Sequence, residues 1–458
     1  MTAPIPTARS ERSYGALLRV PSLTRVLVAM MVSRTAQAMV GVAMVLFTLR
    51  EYDSPALAGL VTLAYVLPGL LVSPIAGALL DRHGRIRLVI LDYIVAGLAL
   101  VLIGLLSLAG RLPDWLLVLI AGISSLTSIL STTGLRSLFP IMVPKPLWER
   151  VNAVDSNGYV VATILGPPVA AGMVAIAGGP LALIAIGVTF AFAVLPMLGV
   201  RDPAPPGTGR GGLLAEAWNG VVYFWHNRTL RGLGFSISIL NLAGGVGTIA
   251  IPLVVLERLG LGEAAVGIVF ALSGLTGMLS AILFGRIDTH HREWPMLVVP
   301  TLLMAPTIAL WLPVAASPPA GQPGALDPLV GFGLIALSQA IFGLLNGPLD
   351  IAMFTVRQRR TDPAIMGRAF AVSMSVNFLG YPIGSALAGG LASTSLDWAV
   401  WLGIGACIVA GVLMAVLVPA REPPLQLARV PSSREEEAGH VRIEGEGRGE
   451  PGGVHREA

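Results

Sequence analysis

The stretch Gly77-Ala78-Leu79-Leu80-Asp81-Arg82-His83-Gly84-Arg85-Ile86-Arg87 closes the second of twelve long apolar segments in this chain. It joins the end of one apolar run to the start of the next through a short turn rich in arginine. An apolar run of about 20 residues is long enough for a helix to cross a bilayer. The stretch therefore predicts a tight basic turn between two membrane-spanning helices.

The composition is that of a chain that lies mostly in lipid. Only 12% of the residues are charged and 54% are hydrophobic, and the mean hydropathy is +0.78. We predict an all-α membrane protein with twelve transmembrane helices. The expected spans are 25–49, 55–80, 88–109, 115–143, 151–177, 180–199, 230–256, 264–285, 296–316, 328–355, 364–392 and 398–418.

The basic residues mark the two sides of this arrangement. Most of the 30 Lys and Arg residues fall before the first span, in alternate loops or in the C-terminal tail, whereas the opposite loops contain only Arg50, Arg111 and Arg258. By the positive-inside rule the basic loops and both termini are cytoplasmic. Because these residues are spread over loop ends, we expect no nucleic-acid partner. The preference for Arg over Lys is typical of a GC-rich bacterial genome, which indicates a bacterial inner (plasma) membrane.

The chain repeats itself at a nearly constant interval. Residues 54–61, which open the second span, resemble residues 262–269, which open the eighth. Gly166–Gly172 in the fifth span likewise resembles Gly384–Gly390 in the eleventh. The repeats predict two pseudo-symmetric six-helix bundles that rock against each other and expose a central site to each side in turn.

The expected domain boundaries follow from these spans. Leu214, Trp218, Val221 and Trp225 recur at helical spacing in the connector, which predicts an amphipathic helix on the inner membrane surface. The polar tail is expected to be disordered. The predicted units are a cytoplasmic N-terminal segment (1–24), an N-terminal bundle (25–199), a cytoplasmic connector (200–229), a C-terminal bundle (230–418) and a cytoplasmic tail (419–458).

The turn at 77–87 closely resembles the signature G-x-L-a-D-r-x-G-r-k between the second and third spans of the major facilitator superfamily. Gly77, Asp81, Arg82, Gly84 and Arg85 all fit it. In that family the motif latches the outward-open state, so the resemblance implies a gating role for these residues. It covers about residues 20–418 and implies the major facilitator fold.

The fifth span carries a second resemblance. Gly166-Pro167 followed by Gly172 is similar to the G-P-x-x-G-G signature of antiporters in this superfamily, with Ala170 and Ala171 where Gly is common. The prolines remove backbone donors and kink the helix. The alternative is a kink that only fits the bundle. Residues 139–172 as a whole resemble the branch that contains macrolide-efflux proteins and enterobactin exporters.

The first span departs from that branch. The branch commonly has Ser-Arg-x-Gly-Asp, whereas this chain reads Ser33-Arg34-Thr35-Ala36-Gln37. Gln37 cannot carry a proton. Any proton coupling is therefore expected to use an acid elsewhere in the spans, and the candidates are Asp92, Asp155 and Asp350.

Two embedded arginines allow alternative interpretations, since a charge inside a bilayer marks function by default. Arg34 either attracts an anionic group of the substrate or pairs with Asp92 or Asp155. Arg136 and Asp350 occupy corresponding positions in the two halves. They form either a gate pair or separate salt bridges, with Asp81 or Asp92 as the expected partner of Arg136.

Sparse polar side chains in apolar walls suit large amphipathic substrates. The alternative for each of them is hydrogen bonding between helices. The predicted substrate-binding residues are Arg34, Gln37, Tyr65, Asn241, Gln339, Asn346 and Asn377.

The leading hypothesis is a proton-coupled secondary active transporter that exports drugs or other amphipathic small molecules by alternating access. The alternatives are transport of one metabolite, such as a siderophore, sugar or lysolipid, and a non-transporting membrane sensor or scaffold. The chain has no His-Glu-x-x-His, P-loop or Gly-x-Ser-x-Gly motif, so we expect no enzymatic activity, metal or cofactor. We expect a monomer whose partners are a small-molecule substrate, the lipid bilayer and protons.

Overall fold

The computed structural model describes residues 14–201, 213–286, 292–362 and 365–420. Twelve of its helices are long and apolar enough to cross a membrane, which confirms the predicted all-α fold. These helices are α2 (Leu23–Tyr52), α3 (Pro55–His83), α4 (Arg85–Leu108), α5 (Asp114–Met142), α6 (Trp148–Ala177), α7 (Gly179–Met197), α9 (Arg228–Leu253), α10 (Glu263–Phe284), α11 (Glu293–Ala309), α13 (Pro328–Arg359), α14 (Met366–Ala392) and α15 (Leu396–Leu417). The shorter helices are α1 (Tyr14–Leu18), α8 (Leu213–His226) and α12 (Leu312–Ala315). The tail from residue 421 and residues 1–13 lie outside the described part of the chain.

The signature turn between α3 and α4 consists of a single residue, Gly84. Its φ of 91° lies in the region that favours glycine, and its backbone N–H closes α3 by donating to the carbonyl of Leu80. Helix α4 begins at the next residue, Arg85. A side chain at position 84 would strain this backbone conformation. Gly therefore suits the position, because the chain must reverse direction between two long helices within one residue.

Polar caps start several of the other helices. The side chain of Ser54 accepts from the backbone N–H of Leu57 at the start of α3. Asn227 and Asp327 cap α9 and α13 in the same way. Each cap satisfies an N–H group that the first turn of a helix leaves without an intrahelical partner.

Helix α13 extends beyond the predicted end of the tenth span. It continues to Arg359, because Val356, Arg357 and Gln358 include no helix breaker. Arg357, which the sequence places in a basic loop, is therefore inside the helix and fully buried. Its Nη1 group lies 3.4 Å from the sulfur of Met374 on α14.

The connector between the two halves contains helix α8. Tyr223 and Phe224 on α8 are buried in a small cluster with Leu230 and Ala369. Trp218 and Trp225 are 65% and 55% exposed. Exposed tryptophans beside buried aromatic rings are typical of a helix that lies at a membrane surface.

The spanning helices form two six-helix bundles, α2–α7 and α9–α15 (with the short α8 and α12 attached). The bundles meet mainly where α3 packs on α14 and where α6 packs on α10. The second helix of each bundle therefore contacts the fifth helix of the other. This reciprocal pairing is the pseudo-twofold relation that the sequence repeats predict.

Glycines allow the backbones of the two bundles to touch. A Cβ atom on Gly59 of α3 would lie 2.4 Å from the carbonyl oxygen of Ser385 on α14, and one on Gly389 would lie 2.3 Å from that of Pro55. On the other side of the interface, a Cβ on Gly267 of α10 would lie 2.8 Å from the Cα of Pro168. Small residues permit helices to approach this closely in membranes.

These contacts lie at one end of the bundles. We call the end at which α3, α5, α7, α10 and α13 finish the basic face, because the sequence places the basic loops after these helices, and we call the other end the opposite face. Gly59, Gly267 and Gly389 are all near the opposite face. At the same end, Arg50 at the end of α2 forms an ion pair with Glu263, the first residue of α10. These contacts join the two bundles at the opposite face.

The close packing inside the second bundle leads to a stability prediction. A Cβ on Gly380 of α14 would lie 1.7 Å from the carbonyl oxygen of Ser238 on α9, whereas a Cβ on exposed Gly390 would meet nothing within 4 Å. Gly380→Ala should therefore destabilise the protein by roughly 1–3 kcal/mol or more. Gly390→Ala should be neutral or should stabilise by up to about 1 kcal/mol, because alanine favours the helix.

The measurement is thermal unfolding of the two purified variants in detergent. An equal melting temperature for the two variants would contradict the described packing of α9 against α14.

Candidate functional site

Two cavities lie side by side within the first bundle. The first has a volume of about 230 Å³ and is bounded by α2, α5 and α6. The second has a volume of about 210 Å³ and is bounded by α2, α3, α4, α5 and α7. Gln37 and Thr132 line both. The predicted residues Arg34, Arg136, Gln37, Tyr65 and Asp92 are all in these walls.

Arg34 and Asp155 form the ion pair beside the first cavity. Nη2 of Arg34 is 2.6 Å from Oδ1 of Asp155, and Nη1 donates to the backbone oxygen of the same residue at 2.5 Å. Both side chains are at most 10% exposed. The guanidinium carbon also lies 5.9 Å from the centre of the Tyr159 ring. Of the open alternatives for Arg34, the structure shows the pair with Asp155.

Arg136 approaches the same carboxylate from α5. Its Nε lies 3.6 Å from Oδ2 of Asp155, and its side chain is 59% exposed. Asp92 does not contact Arg136, and the side chain of Asp81, the other expected partner, lies outside the described part of the structure. The contact with Asp155 was not predicted, because spacing along the chain does not reveal that α5 and α6 bring Arg136 and Asp155 together beside the first cavity. Asp350 does not pair with Arg136 in this structure.

Asp92 is the one charged group among the described residues that line the second cavity. It is 1% exposed, and neither carboxylate oxygen has a hydrogen-bond partner among the described residues. The hydroxyl groups of Ser131 and Thr127 and the backbone of Ser131 lie close to the carboxylate, outside the geometry of a well-formed hydrogen bond. A buried polar group without a partner is rare and calls for an explanation.

Two hydrogen bonds from α2 lie beside the cavities. The Gln37 amide donates to the hydroxyl of Ser131 at 3.1 Å. Ser33, one turn earlier on α2, donates to the hydroxyl of Tyr93 at 2.8 Å. Gln37 thus lies between the Arg34–Asp155 pair and Asp92.

The predicted substrate-binding residues of the second bundle are not brought into these cavities. The side chain of Asn241 donates to the backbone oxygen of Asn377 at 2.9 Å, which is a contact between helices α9 and α14. Asn377 and Gln339 are buried, and Asn346 is half-buried. Asp350 is exposed on α13 and has no ion pair among the described residues. The described cavities therefore contain candidates from the first bundle alone.

The gating candidates are divided between two places. Arg85 donates from Nε to the hydroxyl of Ser137 at 3.1 Å, which ties the signature turn to α5. Gly77, Asp81 and Arg82 lie in α3, but the side chains of Asp81 and Arg82 are outside the described part of the structure. In α6, a Cβ on Gly166 would lie 2.5 Å from Ala38 of α2, next to Pro167, which lies inside the helix.

The hydroxyl groups of α5 line the second cavity but were not predicted from the sequence. Ser124, Ser128 and Thr132 are four residues apart, which places them on one helix face, and all three line the second cavity. The signal was a row of Ser and Thr at helical spacing within an apolar span. Tyr159, on the wall of the first cavity, carried no such signal.

Comparisons with known proteins agree with this architecture. A sequence model described as the Major Facilitator Superfamily matches residues 26–326 and 233–439. The chain is 32% identical over 415 residues to the uncharacterized MFS-type transporter y4rN of Sinorhizobium fredii, covering 90% of this chain and 98% of that one. It is 25% identical to the multidrug efflux pump Tap of Mycobacterium tuberculosis, covering 83% and 90%. It is also 25% identical to the enterobactin exporter EntS of Shigella boydii, covering 88% and 93%.

Solved structures share the fold at low sequence identity. The nucleoside transporter NupG matches with a TM-score of 0.67 at 12% identity, covering 87% of this chain and 99% of that one. A D-xylose-proton symporter matches with a TM-score of 0.64 at 14% identity, covering 88% and 100%. The resemblance seen in the turn at 77–87 is confirmed over nearly the whole chain, which belongs to the Major Facilitator Superfamily of membrane transporters.

Proposed function

We propose that this transporter exports amphipathic small molecules and is driven by protons that Asp92 carries. The relatives named as a multidrug efflux pump and as an enterobactin exporter support export. The observation that carries the proton assignment is the environment of Asp92, a buried carboxylate in a cavity wall with no ion pair and no well-formed hydrogen bond among the described residues.

The three candidate acids differ in what surrounds them. Asp155 is neutralised by Arg34 at 2.6 Å, so proton binding there would break a buried ion pair. Asp350 is exposed and lines neither cavity. Asp92 is buried beside the cavity and has no ion pair with a described cation. A buried charge without a partner is costly. Of the three acids, Asp92 is therefore the one whose gain or loss of a proton should change the free energy of the transporter most.

The arrangement of the bundles supports alternating access. The glycine contacts and the Arg50–Glu263 pair lie at the opposite face, whereas Asp92, Arg136 and Asp155 lie in the helix halves nearer the basic face. We propose that the basic face is cytoplasmic by the positive-inside rule. The structure then corresponds to a state that is closed outside. In the reverse state, the turn at 77–87 would latch the cytoplasmic side, as the resemblance implies.

The remaining assignments are proposals on the same basis. We place the chain in a bacterial inner membrane with both termini cytoplasmic and as a monomer, within the boundaries derived from the sequence. Export of a single metabolite is the second candidate function. The likeness to an enterobactin exporter and the modest cavity volumes, about 230 and 210 Å³, favour it.

The proton assignment predicts the behaviour of Asp92→Asn. The variant cannot gain or lose a proton at this position, so it should lose uphill transport but keep downhill exchange of substrate. A drug-susceptibility panel in an efflux-deficient host identifies a transported compound. Its flux is then followed in proteoliposomes with and without a pH gradient.

Asp350→Asn is the matched control, since it removes an exposed carboxylate from the other bundle. It should retain gradient-driven accumulation. If Asp92→Asn still concentrates the compound when a pH gradient is imposed, Asp92 does not carry the coupling proton.

The closure of the opposite face predicts a second result. Gly389→Val places a side chain against the carbonyl of Pro55, whereas Gly390→Val points into open space. The first variant should favour the outward-open state and the second should not. The reporter is Thr132→Cys on the cavity wall, in a chain whose buried Cys407 is replaced by Ala.

Intact cells are treated with a membrane-impermeant maleimide. Labelling of the reporter should be several-fold faster with Gly389→Val than with Gly390→Val or neither change. Equal rates in all three proteins would show that the α3–α14 contact does not close the external side.

A further inference from the structure

We propose that the first cavity binds the anionic group of the substrate and that Arg136 recognises it. The substrate class is an amphipathic organic anion with a carboxylate or similar head and an apolar body. This inference rests on the proposed function, since it names what the transporter carries.

The charges around the first cavity do not balance. Two guanidinium groups in its wall, those of Arg34 and Arg136, share the single carboxylate of Asp155. No other Asp, Glu, Lys or Arg is among the described residues that line the cavity. The two arginines and Asp155 therefore leave one surplus positive charge at the cavity wall.

The two arginines have different roles. Arg34 is buried, is bonded to both the side chain and the backbone of Asp155, and lies against the Tyr159 ring. These contacts occupy the guanidinium of Arg34, so its role is to hold Asp155 in place and not to bind the ligand. Arg136 touches Asp155 only through Nε at 3.6 Å, and its terminal amino groups make no hydrogen bond to the described residues. Because the contact is long and the Arg136 side chain is 59% exposed, this ion pair contributes little to stability.

The free edge of Arg136 is suited to an oxyanion. The two terminal amino groups of a guanidinium form a planar fork that binds both oxygens of a carboxylate at once. The hydroxyl groups of Thr132 and Thr163 lie in the same wall, where they donate to the backbone oxygens of Ser128 and Tyr159. Apolar surface for the rest of the ligand comes from Ala38, Leu135 and Ala162.

The position of Asp92 keeps the two charges apart. Asp92 lines the second cavity and not the first, and Gln37 and Thr132 lie on the boundary between them. An anion at Arg136 thus avoids direct contact with the carboxylate. The cavity at Arg136 selects the anion, and the neighbouring cavity holds the proton site.

The test uses three proteins and two probes. The probes are dansylglycine, which has a carboxylate, and dansylglycinamide, which has the same body with a neutral amide. Binding to the purified full-length protein in detergent is measured from dansyl fluorescence at neutral pH. The variants are Arg136→Gln and, as a control with the same charge change on an exposed loop, Arg111→Gln. Asp155 keeps its partner Arg34 in both variants.

The wild type and Arg111→Gln should bind dansylglycine about 10- to 100-fold more tightly than the amide, the range for a hydrogen bond to a charged group. Arg136→Gln should lose this preference and bind the amide as before. The proposal is overturned if the wild type shows no preference, if the preference survives in Arg136→Gln, or if both probes weaken equally. Because no gradient is present, a failure of proton coupling leaves these binding results unchanged.

Discussion

The architecture depends on helix backbones that touch between the two bundles. At Gly59 and Gly389, and again at Gly267, the absence of a Cβ atom lets one helix lie directly on another. Lipid tails are as apolar as the side chains, so association in a membrane relies on close packing more than on the hydrophobic effect. These contacts join the bundles at the opposite face, and in the proposed cycle the bundles separate there.

The charged groups of the candidate site cluster around the two cavities of the first bundle. Arg34 and Arg136 line one cavity with their shared partner Asp155 beside it, and Asp92 lines the neighbouring cavity, all within the first bundle. Among the described residues, the second bundle contributes none of the charges in these two walls. One of its buried cations, Arg357, lies against Met374 of the same bundle. The two bundles are thus related in fold but not in the charged residues that line these cavities. In the proposed cycle, the first bundle provides the proton and anion sites.

Much of the fold could be predicted from the sequence because the spans are long and their charges are sorted by side. The turn at Gly84 was also predictable, since few residue types tolerate its backbone. The pairing of Arg34 was not. Asp92 and Asp155 lie at similar depths in different helices, and periodicity along one helix does not reveal which distant face it meets. The same limit explains why Arg136 meets Asp155 and why the Arg50–Glu263 pair was not predicted.

The central claim is that the two bundles rock as separate bodies about their shared interface. Electron-spin distance measurements on two labelled pairs test it most directly, each pair joining exposed sites of the two bundles. Arg87 and Arg286 report on the basic face, and Arg111 and Gln322 report on the opposite face. Between mildly acidic and mildly alkaline buffer, or on addition of a transported compound, one distance should shorten as the other lengthens. Two distances that stay constant under every condition, or that lengthen together, would contradict the account.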